Sequence, residues 1–210
     1  MKHVAILAAL LLPPAALASD LDALVAKVVD TYGGSAAWAK VGSVEARGRV
    51  VPAMRKGDGT MTRVWRGTDT LRVEIVYPDR TEVRALEGGR GTNNGRPSNA
   101  MELDAMRLQA ARLALPLLLA RNKSAVRDLG THDDVRSVEI KLDAPLTMTI
   151  DIDPANGRIV RSTGRSGETA FATAYSDFRT VKGLLIPFHE ENSAMGTKTA
   201  DIFLEAVEIK

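Results

Sequence analysis

The chain has 210 residues, 28 Lys plus Arg against 26 Asp plus Glu, a formal net charge of +2, and aromatics at only 4%. That balance excludes the basic, ring-studded surface that nucleic-acid binding requires. The complete absence of cysteine excludes disulfides and the modified N-terminal cysteine of a lipoprotein, so stability has to come from core burial.

Met1-Lys2-His3 is a short basic start, Val4 to Leu17 is apolar, and Ala16-Leu17-Ala18 supplies small residues before Ser19. This pattern predicts a secretory signal peptide cleaved after Ala18. The apolar run falls short of the ~20 residues that span a bilayer. The expected product is a periplasmic protein with residues 19–210 as one domain and no membrane segment.

Leu21, Leu24, Val25, Val28 and Tyr32 recur at helical spacing, with Ser19 or Asp20 as the expected cap and Gly33-Gly34 as the stop. A helical turn over 35–41 carries Trp38. The period then drops to two. Strands are expected over 43–51, 61–66, 70–77 and 81–87, separated by Gly57-Asp58-Gly59, Gly67-Thr68-Asp69 and Pro78-Asp79. Residues 88–100 are expected to be a polar loop.

Residues 105–121, AMRLQAARLALPLLLAR, are apolar almost all the way round, which a surface helix is not. Met106, Ala110, Leu113 and Leu117 share one side; Leu108, Ala111, Leu115 and Leu118 flank another; Glu102, Gln109 and Arg112 share a third. Pro116 should kink the segment or start a second short helix. Further strands are expected over 135–143, 146–152, 157–163, 169–178, 184–192 and 198–209, with hairpin turns at 153–157 and Lys182-Gly183. Alternating strands give a sheet with one apolar and one wet face. The helices are the elements available to cover the apolar face, so the fold class is mainly β with helices.

This order, together with IDPANGRIVRS (152–162) and YSDFRTVKGLLIPF (175–188), resembles the LolA/LolB-like periplasmic lipoprotein carriers over essentially the whole mature chain. The resemblance implies a single curved antiparallel sheet, an incomplete barrel, with helices lying as a lid over an apolar cavity that takes acyl chains. It also implies a lid-holding arginine, for which Arg66 in VWRGTD is the nearest match. Where the carriers place aromatics after an Asp-Gly turn, this chain has Thr92, Asn93 and Asn94 in EGGRGTNNG.

On this reading the pocket and lid are built from Trp65, Ile75, Tyr77, Met106, Ala110, Leu113, Leu117, Leu118, Met148, Ile150, Phe171 and Tyr175. The same side chains could instead fill a closed core, as large apolar groups usually do. The expected partners are lipid or lipoprotein acyl chains, or alternatively an envelope protein gripped without any small ligand. A monomer is expected.

Signals for chemistry are poor. His132 reads as part of a polar turn, and HEEN after Phe188 as the exposed end of a strand. Neither histidine has metal-site spacing, the 151–157 segment lacks the closing Glu of a calcium loop, and the glycines of 88–95 lack Gly-Lys-Ser/Thr. No Gly-x-Ser-x-Gly occurs. The expectation is therefore no enzyme activity, no cofactor and no metal. An enzyme on this scaffold would need polar side chains inside the groove, which the alternation does not suggest.

Overall fold

Alternation of buried and exposed side chains runs through most of the strands, and it decides the architecture. The computed structural model describes residues 14–210. The export signal predicted over 1–18 falls largely outside them. Helix α1 (Pro14–Thr31) is followed by α2 (Ser35–Trp38) and strands β1 (Val44–Pro52), β2 (Gly59–Arg66), β3 (Thr70–Val76), β4 (Thr81–Glu87), β5 (Arg90–Asn93) and β6 (Arg96–Pro97). Helices α3 (Ala100–Leu113) and α4 (Leu115–Arg121) follow. The chain ends with β7 (Val126–His132), β8 (Val135–Lys141), β9 (Leu146–Asp153), β10 (Arg158–Ser166), β11 (Thr169–Val181), β12 (Leu184–Ala194) and β13 (Thr197–Ile209).

All 13 strands join one open sheet in the order β6-β5-β4-β3-β2-β1-β13-β12-β11-β10-β9-β8-β7. Every neighbouring pair is antiparallel. The first and last strands therefore meet mid-sheet, where the Gly42 and Ser43 amides both donate to the Lys210 carbonyl. The two edges, β6 and β7, are the strands that immediately flank the helical pair α3–α4.

The helical pair explains its own composition. Met106, Ala110 and Leu117 pack into a cluster with Trp65, Ile75 and Phe188, and the half-buried Leu113 leans on it. Leu108, Ala111, Leu115, Leu118 and Leu119 pack into a second cluster with α1 and the inward residues of β8–β10. A helix wedged between two clusters needs two apolar sides. Pro116 opens α4 at a position where its missing N–H costs nothing. Asn99 and Glu102 form a reciprocal capping box at the start of α3, and Asn93 on β5 also donates to Glu102. Gly164 on β10 lets α3 approach the sheet: a Cβ there would lie 2.8 Å from Leu108 Cδ2.

Some expected boundaries shift. The first helix begins at Pro14, so Ser19 and Asp20 lie inside it instead of capping it; the Asp20 carboxylate accepts from Arg136 at 3.0 Å. Residues 88–100 are not a plain loop, because β5 and β6 form a hairpin around Asn94-Gly95, both in the left-handed region. Strand β7 is an addition to the expected set.

Candidate functional site

Register places an ionic group inside the sheet. On β2, Met61, Arg63 and Trp65 share the buried parity. On β12, Leu184, Ile186, Phe188 and Glu190 do the same. Two strands, β1 and β13, separate β2 from β12, which on a flat sheet would hold the two backbones about 14 Å apart. The curl of the sheet turns them toward each other. Arg63 then donates twice to Glu190, from Nη2 to Oε1 at 2.7 Å and from Nη1 to Oε2 at 3.1 Å. From the lid, Arg112 Nη1 donates to the same Oε2 at 2.9 Å. Both Arg63 and Glu190 are 1% exposed. Two cations thus share one anion, and the Nε of Arg63 has no partner.

Burial alone would raise the Glu190 carboxyl, but the two guanidiniums outweigh it and draw it down to about 2. Burial works against the Arg112 charge, and Glu190 more than restores it, leaving that guanidinium above its ordinary range. Burial pushes the Tyr175 and Tyr32 phenols up, so both stay neutral. Tyr175 shares a 2.6 Å hydrogen bond with Ser162, and Tyr32 accepts from the Ile159 amide.

The ionic group divides the interior. On one side lies a small cavity of about 50 Å³ bounded by Trp38, Trp65, Leu113, Leu115, Tyr175 and Glu190. On the other, beneath α3, lies a larger cavity of about 290 Å³ bounded by Ile75, Tyr77, Arg84, Leu108, Met148 and Phe171. Arg112 borders both.

The predicted pocket residues separate accordingly. Trp65, Leu113 and Tyr175 face the small cavity; Ile75, Tyr77, Met148 and Phe171 face the larger one. Met106, Ala110 and Ile150 are packed in the clusters and border neither. Leu117 packs toward Trp38, Val44 and Trp65, and Leu118 toward Leu142 and Leu146. The structure thus divides this set between walls and solid core. Arg66 does not hold the lid: it falls on the opposite parity from Arg63 and Trp65 and is exposed. The arginine that ties β2 to the lid, through Glu190, is Arg63.

No protein-family model matches the sequence, and no curated protein matches it. Solved structures do. A LolA superfamily protein from Nitrosomonas europaea superposes with a TM-score of 0.58 at 10% identity, covering 90% of this chain and 93% of that one. The chain has a LolA-like fold. A DUF1329 family protein from Desulfovibrio piger gives a TM-score of 0.52 at 6% identity, with 90% and 93% covered. A putative outer membrane lipoprotein-sorting protein domain from Vibrio parahaemolyticus gives 0.49 at 8% identity, with 92% and 93% covered.

Within the LolA-like frame, two features escaped sequence reasoning. The HEEN segment is not an exposed strand end, since Glu190 is fully buried, and the groove does hold polar side chains. The signal was available in the parity that Glu190 shares with Ile186 and Phe188. The second feature is a row on the outer face, where His189 bonds Ser176 at 2.8 Å and Asp201 at 3.0 Å across β11, β12 and β13. His189 also stacks on Phe203 at 4.5 Å. These residues resemble a nucleophile–base–acid set, yet neither interior cavity borders them. Ser176 is exposed on the sheet surface, and Lys198 occupies Asp201 from the other side. The row knits three strands together. Among the described residues no helix is long and apolar enough to cross a membrane, and no group of three or more His, Asp or Glu is placed to hold a metal ion.

Proposed function

We propose that this protein is an exported carrier for a lipid or an acylated protein, holding apolar chains between the sheet and the α3–α4 lid. The observation that carries this reading is the cavity of about 290 Å³ under α3, walled by Ile75, Tyr77, Met148 and Phe171. That volume sits at the low end of the roughly 300–1,000 Å³ of small-molecule pockets. A short acyl segment fits as the structure stands, and a longer chain requires the lid to rise. The lid is a separate helical pair, fastened to the sheet interior by the Arg112–Glu190 bond. At about 0.8 kcal/mol per buried CH₂, a modest length of chain supplies ample affinity. The LolA-like fold and the export signal predicted over 1–18 support a periplasmic location, a single domain over 19–210 and a monomer.

Native mass spectrometry of the protein purified from the exported compartment tests the reading. Additional mass matching a fatty acid or phospholipid is expected. Protein that is consistently free of such mass, and that ignores an added fluorescent fatty acid, refutes it.

A second reading, an envelope module that grips a partner protein, is favoured by Met54 and Met195, exposed 78% and 63%. Met54 follows β1 and Met195 lies in the β12–β13 turn, at the same end of the sheet as Phe171, Ala194 and Thr199 of the larger cavity. Capture of an envelope protein that is lost when both methionines become Ser, with no lipid carried at any stage, distinguishes this reading from the first.

A further inference from the structure

Arg84 is a cation without an assigned task. It stands on β4 opposite Val73, which is opposite Arg63 on β2, which is opposite Ala46 on β1. Cross-strand partners share a face, so Arg84 points inward with Arg63, and it borders the larger cavity. Among the described residues its guanidinium makes no hydrogen bond or ion pair. The nearest carboxylate on its own strand, Glu82, is held by Arg55 at 3.2 Å and Arg80 at 2.9 Å.

The charges bordering the two cavities are one-sided. Arg63, Arg84 and Arg112 face Glu190 as the lone carboxylate. Glu190 already accepts from Arg63 and Arg112, so Arg84 is left to the space in front of it. Arg84 is half-buried, and a partly desolvated guanidinium that bonds no anion gives up hydration without compensation. Burial lowers the pKa of Arg84 from its ordinary value and the like charge of Arg112 adds to this, against the pull of Glu82 and Tyr77. A bound anion would reverse that strain. The remaining cavity wall divides by chemistry. Ile75, Leu108, Met148 and Phe171 supply apolar surface, while Gln109, Thr173 and Asn192 supply neutral hydrogen-bonding groups.

We propose that the larger cavity is a binding site for an anion-headed amphiphile, whose carboxylate or phosphate head pairs with the Arg84 guanidinium while its tail lies along the apolar wall. This rests on the carrier reading and sharpens it, because it predicts discrimination between ligands of equal tail length. A fatty acid and a lysophospholipid-type phosphate share the chemistry that Arg84 recognises. A neutral alcohol of the same length does not. A guanidinium presents a planar fork of donors matched to either head.

Calorimetric titration of the delipidated protein with laurate, dodecyl phosphate, dodecanol and inorganic phosphate decides the matter, repeated on Arg84→Gln and Arg84→Lys. The expected result is that laurate or dodecyl phosphate binds the unmodified protein roughly tenfold or more tighter than dodecanol, as a charge-assisted bond implies. Arg84→Gln should abolish that preference without weakening dodecanol binding, and Arg84→Lys should retain part of it. Whichever anionic probe gains more names the head. Equal binding of laurate, dodecyl phosphate and dodecanol overturns the anion site and leaves the carrier reading standing. A preference that survives undiminished in folded Arg84→Gln overturns the assignment to Arg84. Inorganic phosphate binding as tightly as dodecyl phosphate overturns the amphiphile. Failure of every amphiphile, dodecanol included, overturns the carrier reading as well. Should Arg84→Gln not fold, the ratio of anionic to neutral probe on the unmodified protein still decides, and a ratio near one refutes the proposal.

Discussion

Replacing Glu190 by Gln removes the lone anion that Arg63 and Arg112 share while keeping the shape of the side chain. The magnitude follows from two independent lines. Removing one partner of a buried ion pair costs about 3–5 kcal/mol, because a charge is left uncompensated. Separately, the Glu190 carboxyl is drawn from 4.5 to about 2, which corresponds to about 3 kcal/mol favouring its ionised form in the folded chain. The two agree, and either is a large part of the 5–15 kcal/mol that holds a domain together. Because the folded value is depressed, the stabilisation is complete above pH 4.5 and is lost as pH falls toward 2. Urea unfolding followed by the buried Trp38 and Trp65 measures it. At pH 7 the variant should be about 3–5 kcal/mol less stable. Near pH 2 the difference should largely vanish, since the native carboxyl is then becoming protonated as well. Asp128 and Asp201 are also held below their usual range, but they are common to both proteins and cancel in the difference. A loss under 1 kcal/mol at pH 7, or a loss that does not depend on pH, refutes the reasoning.

Three further outcomes are expected. Replacing the whole group (Arg63→Met, Arg112→Met, Glu190→Leu) should restore most of the stability that Glu190→Gln loses, since apolar groups of similar volume often match a buried ion pair; urea midpoints of the two variants give the comparison. Leu117→Glu should prevent folding, because Leu117 is 9% exposed and belongs to the cluster of Trp38 and Trp65, where it borders a void of only about 20 Å³ and neither of the two larger cavities; a native-like near-ultraviolet spectrum from this variant would contradict that placement. Asn99→Ala should cost about 1 kcal/mol by removing the α3 cap, with faster amide exchange in the first turn of α3 as the readout.

Most of the architecture was legible from period alone. The β3 strand over Leu71, Val73 and Ile75 and the new helix that Pro116 helps to open appear where alternation and proline stereochemistry put them. Strands β5, β6 and β7 were not legible. They lie at or near the sheet edges, where natural proteins use short, polar strands that carry no apolar stripe to detect. The site was harder for a different reason. A charged residue in an alternating strand is ordinarily taken as outward, even when its parity says inward. Glu190 defies that habit because its partner Arg63 is 127 residues away, and only the curl of the sheet brings them together. Arg66 is the nearest match by resemblance, whereas parity along β2 singles out Arg63.

The lid is spliced between the two free margins of the sheet, while the chain's own first and last strands are sealed at its centre. A cut at Ala114, the joint between α3 and α4, would sever no rung of the ladder. It would leave two halves still laced along the β1–β13 seam, each carrying one half of the cover. The molecule is thus built as a clasp whose hinge is the place where beginning and end meet, and whose mouth is closed by a strap sewn to both lips.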